Sequence, residues 1–237
     1  MKRIMQAVAA GALLLAGMAP VAAQEAPATA AAMTATPAGI PLDTAWRRAV
    51  YEQANMHLQH PSWGVRHSER NYVLGMALAE ADGLAVDADV LFAAAFLHDW
   101  GGIAPFAVAG KDHAVRSVEL AEPFLAGAGF PMERFPAVRA AILGHMYDKE
   151  PEGPEAVVLH DADALDFLGA LGAARLLAAT ADRPDYDQAL GRIERFAVDI
   201  PPRLKTAAAR DLATQRVAVM TEFLAQVRRE TPEGARP

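Results

Sequence analysis

Apolar residues recur every three or four positions in segment after segment of this chain, and no stretch alternates between apolar and polar for long. That spacing belongs to helices, where side chains return to one face about every 3.6 residues. The pattern predicts helices over residues 43–58, with an Asp43-Thr44 cap, and over 65–82, ended by Gly83. Further helices are expected over 87–99, over 111–128 with Asp112 as cap and a stop near Gly127–Gly129, and over 132–146. Residues 154–169 form the next, 172–182 continue it after a bend, and 186–198 and 202–230 finish the chain. No internal repeat is visible. The expected fold is all-α, a helical globule of about eight or nine helices.

The segment Leu91 to Gly102, LFAAAFLHDWGG, breaks the amphipathic pattern. Its run from Leu91 to Leu97 has no polar residue on any side, so it reads as a buried helix, with Gly101 and Gly102 as its stop. His98 and Asp99 stand where that helix runs out. A buried carboxylate beside an imidazole needs a compensating partner, because an unpaired buried charge is too costly to keep. An arginine, a hydrogen-bond network or a metal ion would each serve.

The ends of the chain differ from its middle. Residues 1–23 carry Lys2 and Arg3, then a short apolar run, then the small residues Val21-Ala22-Ala23, which reads as a signal peptide cleaved after Ala23. The apolar run is too short to span a bilayer comfortably, so no membrane span is expected in the mature protein. Residues 24–41, rich in Ala, Pro and Thr, read as a disordered spacer. Residues 42–237 then form a single domain, exported to the periplasm or secreted. Losing the two cations Lys2 and Arg3 takes the formal charge from −7 to −9. An acidic chain disfavours binding to nucleic acid, which relies on clustered Lys and Arg. No cysteine is present, which excludes a thiolate nucleophile or Cys-based metal site, and leaves packing as the means of stabilisation.

Candidate ligands lie near helix ends or in apolar stretches, in the order His67, His98-Asp99, His113, His145, Asp163. No two distant ones share a local spacing, so a site must be assembled by tertiary packing. Imidazole with carboxylate suits Zn, Mn, Fe or Ni, whereas Mg or Ca prefers oxygen alone.

The order H…HD…D, with HD at the end of an apolar helix, resembles the HD-domain superfamily of metal-dependent phosphohydrolases. The resemblance runs from about Pro61 to Arg175 and rests on His67-Ser68-Glu69-Arg70, Leu97-His98-Asp99, Asp112-His113-Ala114-Val115-Arg116-Ser117, Ile142-Leu143-Gly144-His145, and Glu155 leading to Asp161-Ala162-Asp163-Ala164-Leu165-Asp166. It implies that His67, His98, Asp99 and Asp163 hold one divalent metal, with Asp161 and Asp166 as alternatives to Asp163. It also implies that His113 and His145 match the positions that complete a second ion in some branches, with Asp99 as the bridge. The activity implied is hydrolysis of a small phosphorylated substrate, a phosphomonoester or phosphodiester, by metal-bound hydroxide. Two other readings stay open: an iron oxygenase on the same di-metal site, and a non-enzymatic module that binds metal or a partner.

Around these residues, Arg70 either holds substrate phosphate or pairs with Glu69 or Asp82, and Lys111 either meets substrate charge or is solvated. Glu155 is a candidate to orient a ligand histidine. His160 is equally structural or functional, His57 and His60 are packing or surface residues, Asp166 and Arg175 can pair, and Trp63 and Trp100 wall a pocket or pack the core.

Overall fold

The computed structural model describes residues 33–179 and 186–231, and within them the protein folds as nine α-helices with no strand. The segment read as a signal peptide lies outside the described residues, as does the first half of the spacer. The last part of that spacer, 33–41, corrects the expected boundary. Thr36 and Ile40 are buried there, the Thr36 hydroxyl accepts from the backbone of Ala38 and Ile40, and Ala35 bridges Pro41. One β-branched side chain and one turn suffice to bring this short stretch into the core.

Helix α1 (Ala45–His57) starts on Thr44, whose hydroxyl accepts from Arg47 N at 3.2 Å. Helix α2 (Val65–Asp82) ends at Gly83, left-handed at φ 67°, a conformation that glycine adopts without strain. Helix α3 (Ala88–Leu97) is the centre, with every residue from Val90 to Leu97 buried. Having no polar side, it is surrounded: α1, α2, α5 (Phe135–Gly144) and α6 (Pro154–Asp166) all pack on it. Phe92 meets Trp46 and Tyr72 edge-on, with ring centroids 5.6 and 5.7 Å away.

Both ends of α3 are tied. At its start the Asp87 side chain accepts from Asp89 N and Val90 N, and Glu155 Oε1 accepts from Asp87 N at 2.6 Å. Glu155 therefore joins α6 to α3 and orients no histidine, contrary to the expectation from sequence. Arg47 and Arg134 both grip Asp89, at 2.7 and 2.8 Å. At its far end the glycines do not stop the helix. Helix α3 ends at Leu97, and Trp100–Gly102 forms a single 3₁₀ turn. Gly101 instead permits contact with α4 (His113–Ala128): a Cβ there would lie 2.5 Å from both His113 O and Ser117 N. Ser117 Oγ completes the join, donating to His98 O at 2.6 Å and accepting from Gly101 N at 2.8 Å.

Helix α7 (Gly169–Ala178) follows α6 after a short turn, and α8 (Tyr186–Asp199) packs on α7 and α9 (Ala207–Glu230). The last helix starts later than its spacing suggested, after a separate turn at Pro201–Arg203. The buried Asp161 carboxylate holds the segment just before it, accepting from Lys205 N, Thr206 N and Thr206 Oγ1 at 2.7–3.1 Å, while Asp82 accepts from its first amides, Ala207 N and Ala208 N. His160 Nδ1 lies 2.8 Å from the Asp161 carboxylate, so His160 and Asp161 serve structure.

Gly101→Ala is expected to lower stability by about 1–3 kcal/mol, because the added methyl meets backbone on α4 and not a flexible side chain. Chemical denaturation reads this directly, and an unchanged midpoint would contradict the close approach.

Candidate metal centre

Four histidines and two aspartates from five helices or helix ends converge beside the end of α3. His67 comes from the first turn of α2, His98 caps α3, Asp99 opens the 3₁₀ turn, His113 opens α4, His145 caps α5 and Asp163 faces inward from α6. His67, His98 and His145 are nearly fully buried, and His113 is the exposed member, its side chain 30% accessible.

Hydrogen bonds behind the rings fix which nitrogens face the centre. His98 Nδ1 lies 3.0 Å from Ala95 O, and His145 Nδ1 2.6 Å from Ile142 O. A carbonyl only accepts, so both protons sit on Nδ1. His67 Nδ1 lies 2.7 Å from Asp166 Oδ2, which is held by Arg70 Nη2 and Arg175 Nη1, each at 2.8 Å. Burial works to raise the Asp166 pKa, but bonds from His67 and Arg70 hold it well below the usual carboxylate range, so it too accepts. The Nε2 atoms of all three histidines then face the centre as acceptors, where the buried Asn71 amide is the neutral donor, its Nδ2 3.2 Å from His67 Nε2 and 3.3 Å from Asp163 Oδ1.

Those acceptors point at one another. His67 Nε2 and His98 Nε2 are 3.3 Å apart, with Asp163 Oδ1 3.0 Å from His67 Nε2 and Asp99 Oδ2 3.2 Å from His98 Nε2. His113 Nε2 and His145 Nε2 lie 3.1 Å apart, with Asp99 Oδ1 3.7 and 3.9 Å away. Acceptors packed this closely in a buried place call for a cation between them. The residues thus fit divalent metal: His67, His98 and Asp163 form one possible set, and His98, Asp99 and His145 another. Asp99 turns one oxygen toward each pair of rings.

The electrostatics agree. Burial works to lower the His98 pKa, but Asp99 and then Asp163 outweigh it and push it up to about 9, so in the protein alone a proton stands in that place. Burial, reinforced by His98, pulls His145 down to about 4 and keeps it neutral. Burial opposes ionisation of Asp99, yet His98 and His67 hold its carboxyl far below the usual range.

Several residues singled out from the sequence lie elsewhere. Arg70 faces a different cavity and is engaged by Asp166, with neither Glu69 nor Asp82 as its partner; it acts behind His67. Lys111 Nζ pairs at the surface with Glu119 at 2.6 Å, because the Asp112 cap turns the chain outward there. Asp166 stands behind the centre, and Asp163 is the carboxylate that faces it. Trp100 packs in the core against Phe106 and Phe124, and His57 also rests on Phe106. A cavity of about 340 Å³ opens over Asp99, His113 and Asp163, walled by Trp63, Tyr147 and Phe196. Arg192 of α8 also lines it, a residue for which the sequence offered only one signal, its place one turn before Phe196.

An all-α domain with a histidine-aspartate centre at the end of a buried helix is a class with known members. Residues 64–168 match the family described as HD domain. Among curated proteins no match is found. Bacillus subtilis YpgQ in complex with ADP is similar in structure: 21% identical, TM-score 0.62, covering 78% of this chain and 98% of that one. A Lactobacillus plantarum protein is 24% identical with TM-score 0.62, covering 78% and 96%. A predicted HD superfamily hydrolase from an uncultured Thermotogales bacterium is 25% identical with TM-score 0.54, covering 75% and 87%. Residues 64–168, which include all six residues of the centre, are an HD domain.

Two outcomes are expected of this geometry. Asp166→Asn, which removes the charge behind His67, should weaken divalent-metal binding about 10–100-fold in competition with a chelator. Metal must displace the His98 proton, so binding at neutral pH should release about one proton, and apparent affinity should rise with pH up to about 9 and then level. Calorimetry in buffers of different ionisation enthalpy measures both; affinity that falls with rising pH across this range would oppose the assignment.

Proposed function

We propose that this protein is a metal-dependent phosphohydrolase that cleaves a phosphomonoester or phosphodiester, with two divalent ions of the Zn, Mn, Fe or Ni type. The observation that carries the reading is Asp99, whose two oxygens face two separate imidazole pairs 3.2–3.9 Å away. His67, His98 and Asp163 would hold one ion, His113 and His145 the other, and Asp99 both. When bound, the metal supplies Lewis acidity toward the phosphoryl oxygens and toward the attacking water.

The chain's own residues do the rest. Asp166, Ala95 O and Ile142 O keep three imidazoles in the tautomer that presents Nε2. Their burial keeps bulk water from the far side of the centre, while the half-exposed His113 and the cavity leave one side open for substrate. YpgQ in complex with ADP shows a structurally similar protein holding a small phosphorylated ligand, which supports a substrate of that kind here. We read the protein as exported, on the leader pattern of residues 1–23.

Metal analysis on wild type and His113→Ala tests the centre. About two ions per chain are expected in wild type, falling toward one in the variant, with hydrolysis of phosphoesters lost. A wild-type value near one would retire the second ion, and turnover that requires O₂ and ferrous iron would replace hydrolysis with oxygenase chemistry. N-terminal sequencing of exported protein should begin at Gln24; a start at Met1 would sink the export reading.

A further inference from the structure

The proposed function leaves open whether the substrate is a monoester or a diester, and the cavity carries one feature that bears on this. Of its lining residues, Asp99, His113 and Asp163 belong to the centre, and Trp63, Met146, Tyr147, Phe167 and Phe196 are apolar or aromatic. Arg192 is the cavity's one permanent cation. It comes from α8, an element that supplies none of the histidines and lies beyond the HD match at 64–168.

Its placement is fixed by packing. Phe196, one turn further along α8, sits between Tyr147 and Phe167, with ring centroids 5.5 and 5.3 Å away. Residues four apart share a helix face, so the contacts that seat Phe196 also turn Arg192 toward the cavity. Among the described residues no carboxylate lies within ion-pair distance of Arg192. The neighbouring Glu194 is turned away and engaged by Arg228. An arginine held over an open cavity, with no ion partner among the described residues, is placed to take an anionic ligand.

We propose that Arg192 binds the substrate's phosphoryl group and selects phosphomonoesters over phosphodiesters. This rests on the hydrolase reading above. A monoester is a dianion near neutral pH with three non-bridging oxygens, whereas a diester is a monoanion with two. A centre with two cation positions has use for two of those oxygens. Only a monoester leaves a third oxygen, and a second charge, for the guanidinium, whose planar fork suits phosphate. The diester places an alkyl or aryl group there instead and gains nothing from the cation.

The test uses the full chain loaded with Mn²⁺, as wild type, Arg192→Ala and Arg192→Lys. Three quantities are read: metal content, calorimetric binding of inorganic phosphate, and kinetics on 4-nitrophenyl phosphate and bis(4-nitrophenyl) phosphate. Metal content should stay at the wild-type value. Arg192→Ala should weaken phosphate binding about tenfold or more, and raise KM for the monoester by a similar factor with little change in kcat. Its diester kinetics should move less than about twofold, so that the preference for monoester collapses, and Arg192→Lys should recover part of the loss. Equal losses on both esters, or phosphate binding unchanged in Arg192→Ala, would overturn the assignment while leaving the hydrolase reading standing. Wild type that turns over neither ester, yet loses phosphate affinity on Arg192→Ala, would instead retire hydrolysis and keep Arg192 as the anion-binding residue.

Discussion

Two buried imidazole Nε2 atoms 3.3 Å apart among carboxylates are an unstable pairing unless a cation joins them. Much of this fold serves to hold them there. The proton that each ring would otherwise turn inward is held on Nδ1 by a carbonyl or by Asp166, and those acceptors lie behind the rings on three different elements. Beyond the one amide of Asn71, the centre's acceptors are met by cations, a proton on His98 in the protein alone and divalent metal when that is supplied. The apolar helix α3 matters because it delivers His98 to this place fully buried.

The support extends two layers outward. Behind His67 stands Asp166, and around Asp166 stand Arg70 and the buried Arg175, which also donates to Ser62 O and Asp166 O. A buried carboxylate with two arginines stays ionised, and an ionised carboxylate holds the His67 proton on the far nitrogen. Arginines distant from the cavity thus help fix which nitrogen of His67 faces the centre.

The helices and their caps were legible because their signals are local: Thr44, Asp87 and Asp112 precede apolar periodicity, and Gly83 follows it. The six inward-facing residues could be ordered along the chain, and they meet in the fold. Their neighbours could not be assigned, since a side chain's partner depends on what packs opposite. Arg70 shares a face with His67, as spacing says, but its choice of Asp166, 96 residues away, is tertiary. Glu155 has the chemistry to support a histidine and the position to hold an amide of α3. The glycines after Trp100 looked like a helix stop, whereas Gly101 is shaped by the backbone of α4, about which its own segment says nothing. Arg192 stood outside every motif, and only the packing of Phe196 draws notice to it.

Helix α6 brings three carboxylates into a space of six residues and sends each to a different task. Asp161 holds the cap residue Thr206 ahead of α9, Asp163 faces the centre, and Asp166 holds His67 from behind. Successive residues on a helix are turned by about 100°, so the three assignments hold in one rotational setting of α6 only. A lost or gained residue within this helix would pass each acid to its neighbour's surroundings and leave all three tasks unfilled at once. Evolution can therefore vary the exposed faces of this domain freely, but in α6 it can exchange side chains only in place.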